Sequence, residues 1–185
     1  MNTTTTAIRT RTLILCAIFA ALTAVCSQIQ IPLPMVPINL ALFAVHMAGA
    51  TLGPKYGSLS MGCYMLLALV GAPVLSGFTG GAGVLFGKTG GYVLGYLISA
   101  LVTGLVVRRW GKTWPALILG MTAGVLSCYF FGTVWFMMLT KMDLLTSLAY
   151  CVIPFLAGDV VKILLAAFLV KALDKPLRRG GWAVE

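Results

Sequence analysis

The chain has 185 residues, of which 60% are hydrophobic and only 9% are charged. Soluble domains carry about 25% charged residues, so this chain has too little polar surface to cover a water-soluble particle. The net charge is +9. The charged residues lie between apolar segments and form no basic stripe interleaved with aromatics, which argues against a nucleic-acid-binding protein. The composition predicts a single integral membrane domain over residues 1–185.

The N-terminal segment MNTTTTAIRTR is polar and basic and precedes an apolar run. A secretory signal peptide begins in the same way. Here the first apolar run is long enough to span a membrane and five more follow, so we expect it to be retained as a helix.

Six apolar segments approach the roughly 20 residues that a membrane-spanning helix needs. Pro, Gly and charged residues separate them. Segment 140–155 is mixed, and we expect a short surface helix there because Pro154 lacks the N–H of a helix interior. We predict an all-α bundle of six transmembrane helices, at 13–30, 38–54, 56–72, 90–108, 115–139 and 156–173.

The first span contains small residues at helical spacing. Ala17 and Ala21 share one face, and Ala20 and Ala24 share another. Small residues four apart let membrane helices approach closely. Either face serves internal packing or docks another subunit. Gly91/Gly95 and Gly120/Gly124 have the same spacing, and for these we predict packing.

The connections on one side of the bundle are unusual. Segment 31–37 has three prolines, among them Pro34, which make it stiff. Segment 82–89 fits the loose phosphate-binding pattern, with Gly87, Lys88 and Thr89 in its final slots. Phosphate-binding loops of this kind follow a buried strand and cradle phosphates at a helix start. No strand is predicted here, so we expect no nucleotide site.

The Gly-rich loop 75–92 has features of a ligand-binding segment. Its glycines allow positive φ and close backbone approach. Thr79 offers a hydroxyl, Lys88 a cation, Phe78 an aromatic face and Tyr92 both a hydroxyl and a ring. Asn39, just after the proline-rich segment, could reach the same pocket, as could Gln28 and Gln30 from the first helix. A flexible loop without a role is the alternative.

The last span holds a charged pair within an apolar run. Asp159 and Lys162 are three residues apart and therefore share one helical face. A charge at a helix centre costs about 2.5–3.5 kcal/mol on insertion scales, so such residues are usually functional. The pair suits a ligand with both donors and acceptors. A structural ion pair and a proton relay are the alternatives. A helix starting near Leu156 would place Asp159 in its first turn.

The cations indicate an orientation. In a six-helix topology ten of the 13 Lys and Arg residues fall on one side, which predicts that both termini are cytoplasmic. The opposite side receives only Lys88 and Lys141. The ten are Arg9, Arg11, Lys55, Arg108, Arg109, Lys112, Lys171, Lys175, Arg178 and Arg179.

Catalytic and metal-binding patterns are poor. The chain has one histidine, His46, and four acidic residues, the last being Glu185. Its five cysteines form no C-x-x-C pair and lie in or beside apolar segments, as small buried residues do. We predict no catalytic residues, no metal site and no cofactor.

The sequence resembles the BioY family of biotin transporters, the substrate-capture (S) components of energy-coupling-factor transporters. The resemblance spans nearly the whole chain, through FAALTAVCSQIQIPLPMVPIN, GAPVLSGFTGGAGVLFGKTGGYVLGYL and IPFLAGDVVKILLAA. The Gly-rich loop ending in Thr-Gly-Gly-Tyr, combined with Pro-Phe-x-x-Gly-Asp-x-x-Lys, is specific. Lys88 departs from the family pattern, in which many relatives have proline.

The resemblance implies a six-helix fold that binds biotin near the outer face of a prokaryotic cell membrane, with Asp159 and Lys162 contacting it. It implies a transmembrane coupling subunit and two cytoplasmic ATPases as partners, docked through one of the two alanine faces of helix one. A homo-oligomer is a further possibility.

Two other functions compete with biotin capture. An S component for another vitamin, riboflavin or thiamine, would share the fold. An intramembrane enzyme acting on lipid would differ in class, but the sparse acidic residues and single histidine favour a transporter subunit over an enzyme.

Overall fold

The computed structural model describes residues 3–33, 35–180 and 182, with backbone alone for residues 3–9. Pro34, Glu185 and the side chain of Arg9, considered above, lie outside this part. The described residues form seven helices and one small hairpin: α1 (Thr3–Gln28), β1 (Gln30–Ile31), β2 (Ile38–Asn39), α2 (Ala41–Leu69), α3 (Ala82–Leu85), α4 (Gly90–Trp110), α5 (Trp114–Thr140), α6 (Leu144–Cys151) and α7 (Ile153–Arg179).

Four helices within the described residues are long and apolar enough to cross a membrane. They are Thr10–Gln28 of α1 and the whole of α4, α5 and α7. Four predicted spans are thereby recovered, with ends that differ by a few residues. The predicted number of six spans is not confirmed, because segments 38–54 and 56–72 fall on the single element α2.

A kink divides α2 into two arms, residues 41–52 and 54–69. Gly53 has non-helical angles (φ 77°, ψ −179°), and Pro54 follows it. At about 1.5 Å per residue the arms measure about 18 and 24 Å, shorter than the roughly 30 Å hydrocarbon core. Each arm alone is therefore shorter than any of the four spans named above, the shortest of which has 19 residues.

The two arms form a hairpin beside α1. The Leu40 N–H donates to the Cys26 carbonyl at the end of α1 (3.2 Å), whereas the Ser60 hydroxyl reaches the Cys16 carbonyl near its middle (2.6 Å). Val74, just beyond α2, accepts from Ser27 at the end of α1 (2.5 Å). The chain thus runs away from the end of α1 and returns to it.

Glycines allow the hairpin to close. A Cβ atom at Gly57 would lie 2.9 Å from the Cα of Gly49, so the backbones of the two arms touch. A Cβ at Gly104 of α4 would lie 2.5 Å from the Pro54 nitrogen. A side chain larger than hydrogen at either position would push the helices apart.

The glycine pairs predicted to pack do so between α4 and α5. A Cβ at Gly95 would lie 3.0 Å from the Cys128 sulfur, and one at Gly124 would lie 2.5 Å from the Thr103 hydroxyl. Gly91 packs against Trp135, and Gly120 against Val106. Small residues let two membrane helices approach in this way.

The bundle has two distinct ends. At the terminal end, the Arg11 guanidinium lies 5.5 Å from the Trp182 ring centroid, and Lys112 pairs with Asp174 at 2.9 Å. At the opposite end, here named the cavity end, lie the end of α1, the β-hairpin, residues 70–89 and α6. This arrangement follows from the contacts of the two α2 arms with α1 and from the directions of α4, α5 and α7.

The predicted short surface helix in segment 140–155 is confirmed as α6. Asp143 precedes α6 and caps it, and hydrogen bonding from Thr146 holds the pKa of this exposed carboxylate below its ordinary value. α7 then begins at Ile153, with Pro154 in its first turn, where proline is tolerated. Asp159 consequently lies in the second turn of α7 and not, as predicted, in the first. The helix dipole therefore stabilises its carboxylate less, because that effect fades beyond the first turn.

Candidate ligand-binding site

A cavity of about 250 Å³ opens at the cavity end of the bundle. Elements far apart in the chain build its wall: the β-hairpin, α2, the Gly-rich loop, α4, α5 and α7. Most of the wall is apolar or aromatic, with a few polar groups. The lining residues are Val36, Pro37, Asn39, Leu42, Tyr64, Leu75, Ser76, Thr79, Val84, Thr89, Tyr92, Val93, Tyr96, Cys128, Tyr129, Phe155, Asp159 and Lys162.

The charged pair of α7 lines this cavity. Lys162 Nζ lies 2.8 Å from Asp159 Oδ1, and the Tyr129 hydroxyl of α5 donates to Asp159 Oδ2. Only 3% of Asp159 and 7% of Lys162 is exposed. A buried charge is stable only when it is paired and hydrogen-bonded. The cavity wall therefore presents carboxylate acceptors beside ammonium donors.

Two further tyrosines form an aromatic wall. The rings of Tyr64 and Tyr96 lie 6.5 Å apart at 39°. Their hydroxyls are held within the protein: Tyr64 donates to the Val74 carbonyl (3.1 Å) and Tyr96 to Asn39 Oδ1 (3.5 Å). Ring faces held in this way offer a flat apolar surface to a ligand.

Asn39, predicted to contact the ligand, lines the cavity and also joins its walls. Its side-chain nitrogen donates to the Ser76 hydroxyl (2.6 Å), and its oxygen accepts from the Ala41 N–H (3.1 Å). The amide thereby connects the β-hairpin to the Gly-rich loop and the start of α2. Ser76, which the sequence analysis did not select, lines the cavity as its partner.

The end of α1 holds the Gly-rich loop in place. Gln28 Nε2 donates to the Leu75 carbonyl (3.0 Å), and Gln28 Oε1 accepts from the Phe78 N–H (2.8 Å). Ser27 adds its bond to Val74. Gln28 therefore supports the cavity wall, although it is not among the lining residues.

The loop residues predicted to bind the ligand separate into two groups. Thr79 and Tyr92 line the cavity, whereas Phe78 and Lys88 do not. Phe78 sits at the loop tip with a positive φ of 54° and is 72% exposed. The Lys88 side chain is exposed as well. The loop turns both outwards, which the sequence alone did not indicate.

Tyr92 contributes its ring, rather than its hydroxyl, to the wall of the cavity. The hydroxyl donates to the Cys151 carbonyl at the end of α6 (3.4 Å), and the ring packs on Gly132 of α5. The predicted use of this hydroxyl as a ligand contact is therefore not what the geometry favours.

The segment that matches the phosphate-binding pattern has another structure. It contains the short helix α3, and α4 begins only at Gly90. Trp135 Nε1 donates to the Gly87 carbonyl (3.0 Å), which packs the segment against α5. Thr89 lines the cavity and does not take the final position of a phosphate-binding loop.

The two alanine faces of α1 differ in exposure. Ala20 is 3% exposed and Ala24 is half-buried, so this face packs inside the bundle. Ala17 and Ala21 are both exposed. The structure therefore separates two registers that the sequence left equivalent.

Sequence reasoning missed Tyr129, Tyr96 and Tyr64. Each lies in a long apolar segment, where an aromatic residue is indistinguishable from a packing or lipid-facing one. Tyr129 stands 30 residues before Asp159 on another helix, so no helical spacing links the two. His46, the lone histidine, is fully buried, with Nδ1 3.4 Å from the Thr103 hydroxyl.

Comparisons with known proteins give a consistent result. The sequence model of the family described as "BioY family" matches residues 1–179. The chain is 36% identical over 165 residues to the "Biotin transporter BioY" of Thermotoga maritima, covering 89% of this chain and 96% of that protein. It is 33% identical over 176 residues to the protein of the same name from Rhodobacter capsulatus, covering 88% and 93%.

A solved structure has the same fold. The crystal structure described as the S-component for biotin from an ECF-type ABC transporter superposes with a TM-score of 0.84 at 32% identity, covering 95% of each chain.

Proposed function

Because this chain belongs to the BioY family, we propose that it captures biotin and takes part in biotin uptake as the substrate-binding S component of an energy-coupling-factor transporter. The buried Asp159–Lys162 pair at the wall of an otherwise apolar and aromatic cavity is the observation that supports this most strongly. It is present in the chain's own geometry, independently of the relatives' names.

The cavity chemistry complements the groups of biotin. Biotin carries an apolar bicyclic ring system, a ureido group with two N–H donors and one carbonyl, and a carboxylate on an aliphatic chain. Asp159 can accept ureido N–H groups, and Lys162 can donate to a carbonyl or carboxylate. The rings of Tyr64 and Tyr96 suit the bicycle. Asn39, Thr79 and Tyr92 complete our proposed set of contacts.

The orientation of the chain follows from its charges. The terminal end carries most of the cations, including Arg108, Arg109 and Lys112. By the positive-inside rule we place this end and both termini in the cytoplasm of a prokaryotic cell, with the cavity at the outer face. The arms of α2 then count as two short spans, giving six crossings in one membrane domain.

The partners we propose are a transmembrane coupling subunit and two cytoplasmic ATPases. The exposed Ala17/Ala21 face of α1 suits close approach by a partner helix, whereas the Ala20/Ala24 face is already used for packing. In this scheme the chain binds biotin, the ATPases hydrolyse ATP and the chain itself catalyses no reaction.

The test is a pair of cavity variants, Asp159→Asn and Lys162→Met, titrated with biotin. Each removes one charge from a buried pair and a contact to the ligand. Hydrogen bonds to charged groups contribute about 1.5–3 kcal/mol, so we expect affinity to fall by at least about 10-fold.

Asp174→Asn is the matched control for these variants. It makes the same carboxylate-to-amide change in an ion pair with Lys112 and Arg178 at the terminal end, far from the cavity. Affinity that stays within about twofold in all three variants would refute the assignment of the site.

A further inference from the structure

Side chains of the protein occupy both oxygens of the Asp159 carboxylate. Oδ1 accepts from Lys162 Nζ at 2.8 Å, and Oδ2 accepts from the Tyr129 hydroxyl. All three residues are buried and all three line the cavity. An ionised carboxylate offers about four lone-pair sites, so two of them remain for a ligand.

The two donors constrain the carboxylate differently. Lys162 stands on the same helix and moves with Asp159, and its long side chain has many rotamers. Tyr129 stands on α5, and a rigid ring carries its hydroxyl. The terminal torsion of an aspartate is broad and roughly two-fold, so its rotation needs an external restraint. Tyr129 supplies that restraint from a second helix.

The hydroxyl also determines what the ligand meets. Because the Tyr129 proton is donated to Asp159, its oxygen can act towards a ligand only as an acceptor. Asp159 and Tyr129 therefore present acceptors side by side, and Lys162 presents donors. A group with N–H bonds next to a carbonyl fits this set.

We propose that Tyr129 is a positioning and specificity-determining residue: its hydroxyl orients Asp159 so that the free lone pairs face the cavity and select ligands that present ureido N–H donors. This rests on the proposed capture of biotin and adds to it a residue that determines which end of the ligand is read at the charged pair.

The experiment compares two ligands in Tyr129→Phe, a variant that keeps the ring and removes only the hydroxyl. Purified protein in lipid nanodiscs is titrated with biotin and with biotin methylated on a ureido nitrogen. The dissociation constant of methylated biotin divided by that of biotin measures how strongly the protein recognises the N–H group. We expect this ratio to fall by about 10-fold or more in Tyr129→Phe, because loss of a hydrogen bond to a charged group has this magnitude.

A merely structural role predicts another pattern. If Tyr129 only packs α5 against α7, both ligands weaken equally, the ratio is unchanged and the proposal is overturned. Tyr150→Phe is the control: Tyr150 is 46% exposed on α6 and outside the cavity lining, so affinity and ratio should match the unaltered chain.

A donor-preserving replacement separates chemistry from folding. Replacing Tyr129 by 4-aminophenylalanine keeps the ring and a hydrogen-bond donor. We expect this variant to have the same ratio of dissociation constants as the unaltered chain. A ratio that falls in this variant would overturn the proposal even if Tyr129→Phe does not fold. Failure of the unaltered chain to bind biotin would instead remove the proposed function itself.

Discussion

Asp159, Lys162 and Tyr129 together form a buried polar group in the wall of the cavity. Asp159 and Lys162 stand out because ionisable residues are costly in an apolar helix, and the structure places both at the cavity. Their third partner, Tyr129, could not be predicted because contact between α5 and α7 depends on how the helices pack. A tyrosine is also compatible with an apolar segment, so the sequence gives no reason to single it out.

Lys88 provides a prediction at the same scale. The sequence predicts it as a cationic contact of the ligand-binding loop, yet its side chain is exposed and outside the cavity lining. We expect Lys88→Ala to change biotin affinity by less than about fivefold, since exposed charge pairs contribute about 0–1 kcal/mol. Equilibrium titration of purified protein measures this.

The salt dependence of the association rate extends the Lys88 test. A charge near the mouth of a cavity acts mainly on encounter with a charged ligand. Lys88→Glu should slow biotin association most at low salt. A 10-fold or larger loss of affinity in Lys88→Ala would show instead that the loop closes over the ligand and brings Lys88 into contact with it.

At the scale of elements, α4, α5 and α7 were predictable because each is one long apolar run between polar residues. The hairpin of α2 was predicted as two ordinary spans. Its arms are shorter because Gly53 and Pro54 turn the chain early, and Gly49, Gly57 and Gly104 let the backbones meet. The β-hairpin and α3 are too short for their periodicity to be recognised in a sequence.

The attachment of the Gly-rich loop to α1 yields a second prediction. Gln28→Ala removes the bonds to the Leu75 carbonyl and the Phe78 N–H, which hold the loop against the cavity. Two bonds of about 0.5–1.5 kcal/mol each predict roughly a 5-fold to 150-fold loss of biotin affinity, appearing mainly as faster dissociation. Stopped-flow displacement of labelled biotin measures the rate.

Gln30→Ala is the matched control for the loop. Gln30 is the same residue type two positions later, and its Oε1 has no hydrogen-bond partner among the described residues. We expect dissociation from Gln30→Ala to resemble that from the unaltered chain. Equal dissociation rates in Gln28→Ala and the unaltered chain would mean that the loop does not depend on this attachment.

For the whole molecule, composition predicted a membrane bundle, and the four long apolar helices of the described residues agree with that. The orientation that the charges indicate stays a prediction. The alanine face of α1 that stays exposed was not predictable, because Ala17/Ala21 and Ala20/Ala24 are pairs of small residues with the same spacing. Only the packing of α1 against α2 shows which of them remain free.

The docking face gives a third prediction. Leucine at Ala17 and at Ala21 would hold a partner helix away, so we expect the double variant to lose co-purification with the coupling subunit while it still binds biotin. Val160→Leu on the exposed face of α7 is the control and should retain the partner. Retention of the coupling subunit by the double alanine variant would assign docking to another surface.

Capture of biotin by this chain is tested most directly by calorimetric titration of the isolated chain with biotin in the absence of ATP, with riboflavin and thiamine in parallel. We expect saturable binding of biotin, and not of the other two vitamins, by the chain without its partners, because side chains of this chain line the cavity. No binding of biotin by a demonstrably folded chain, or preferential binding of riboflavin or thiamine, would contradict it.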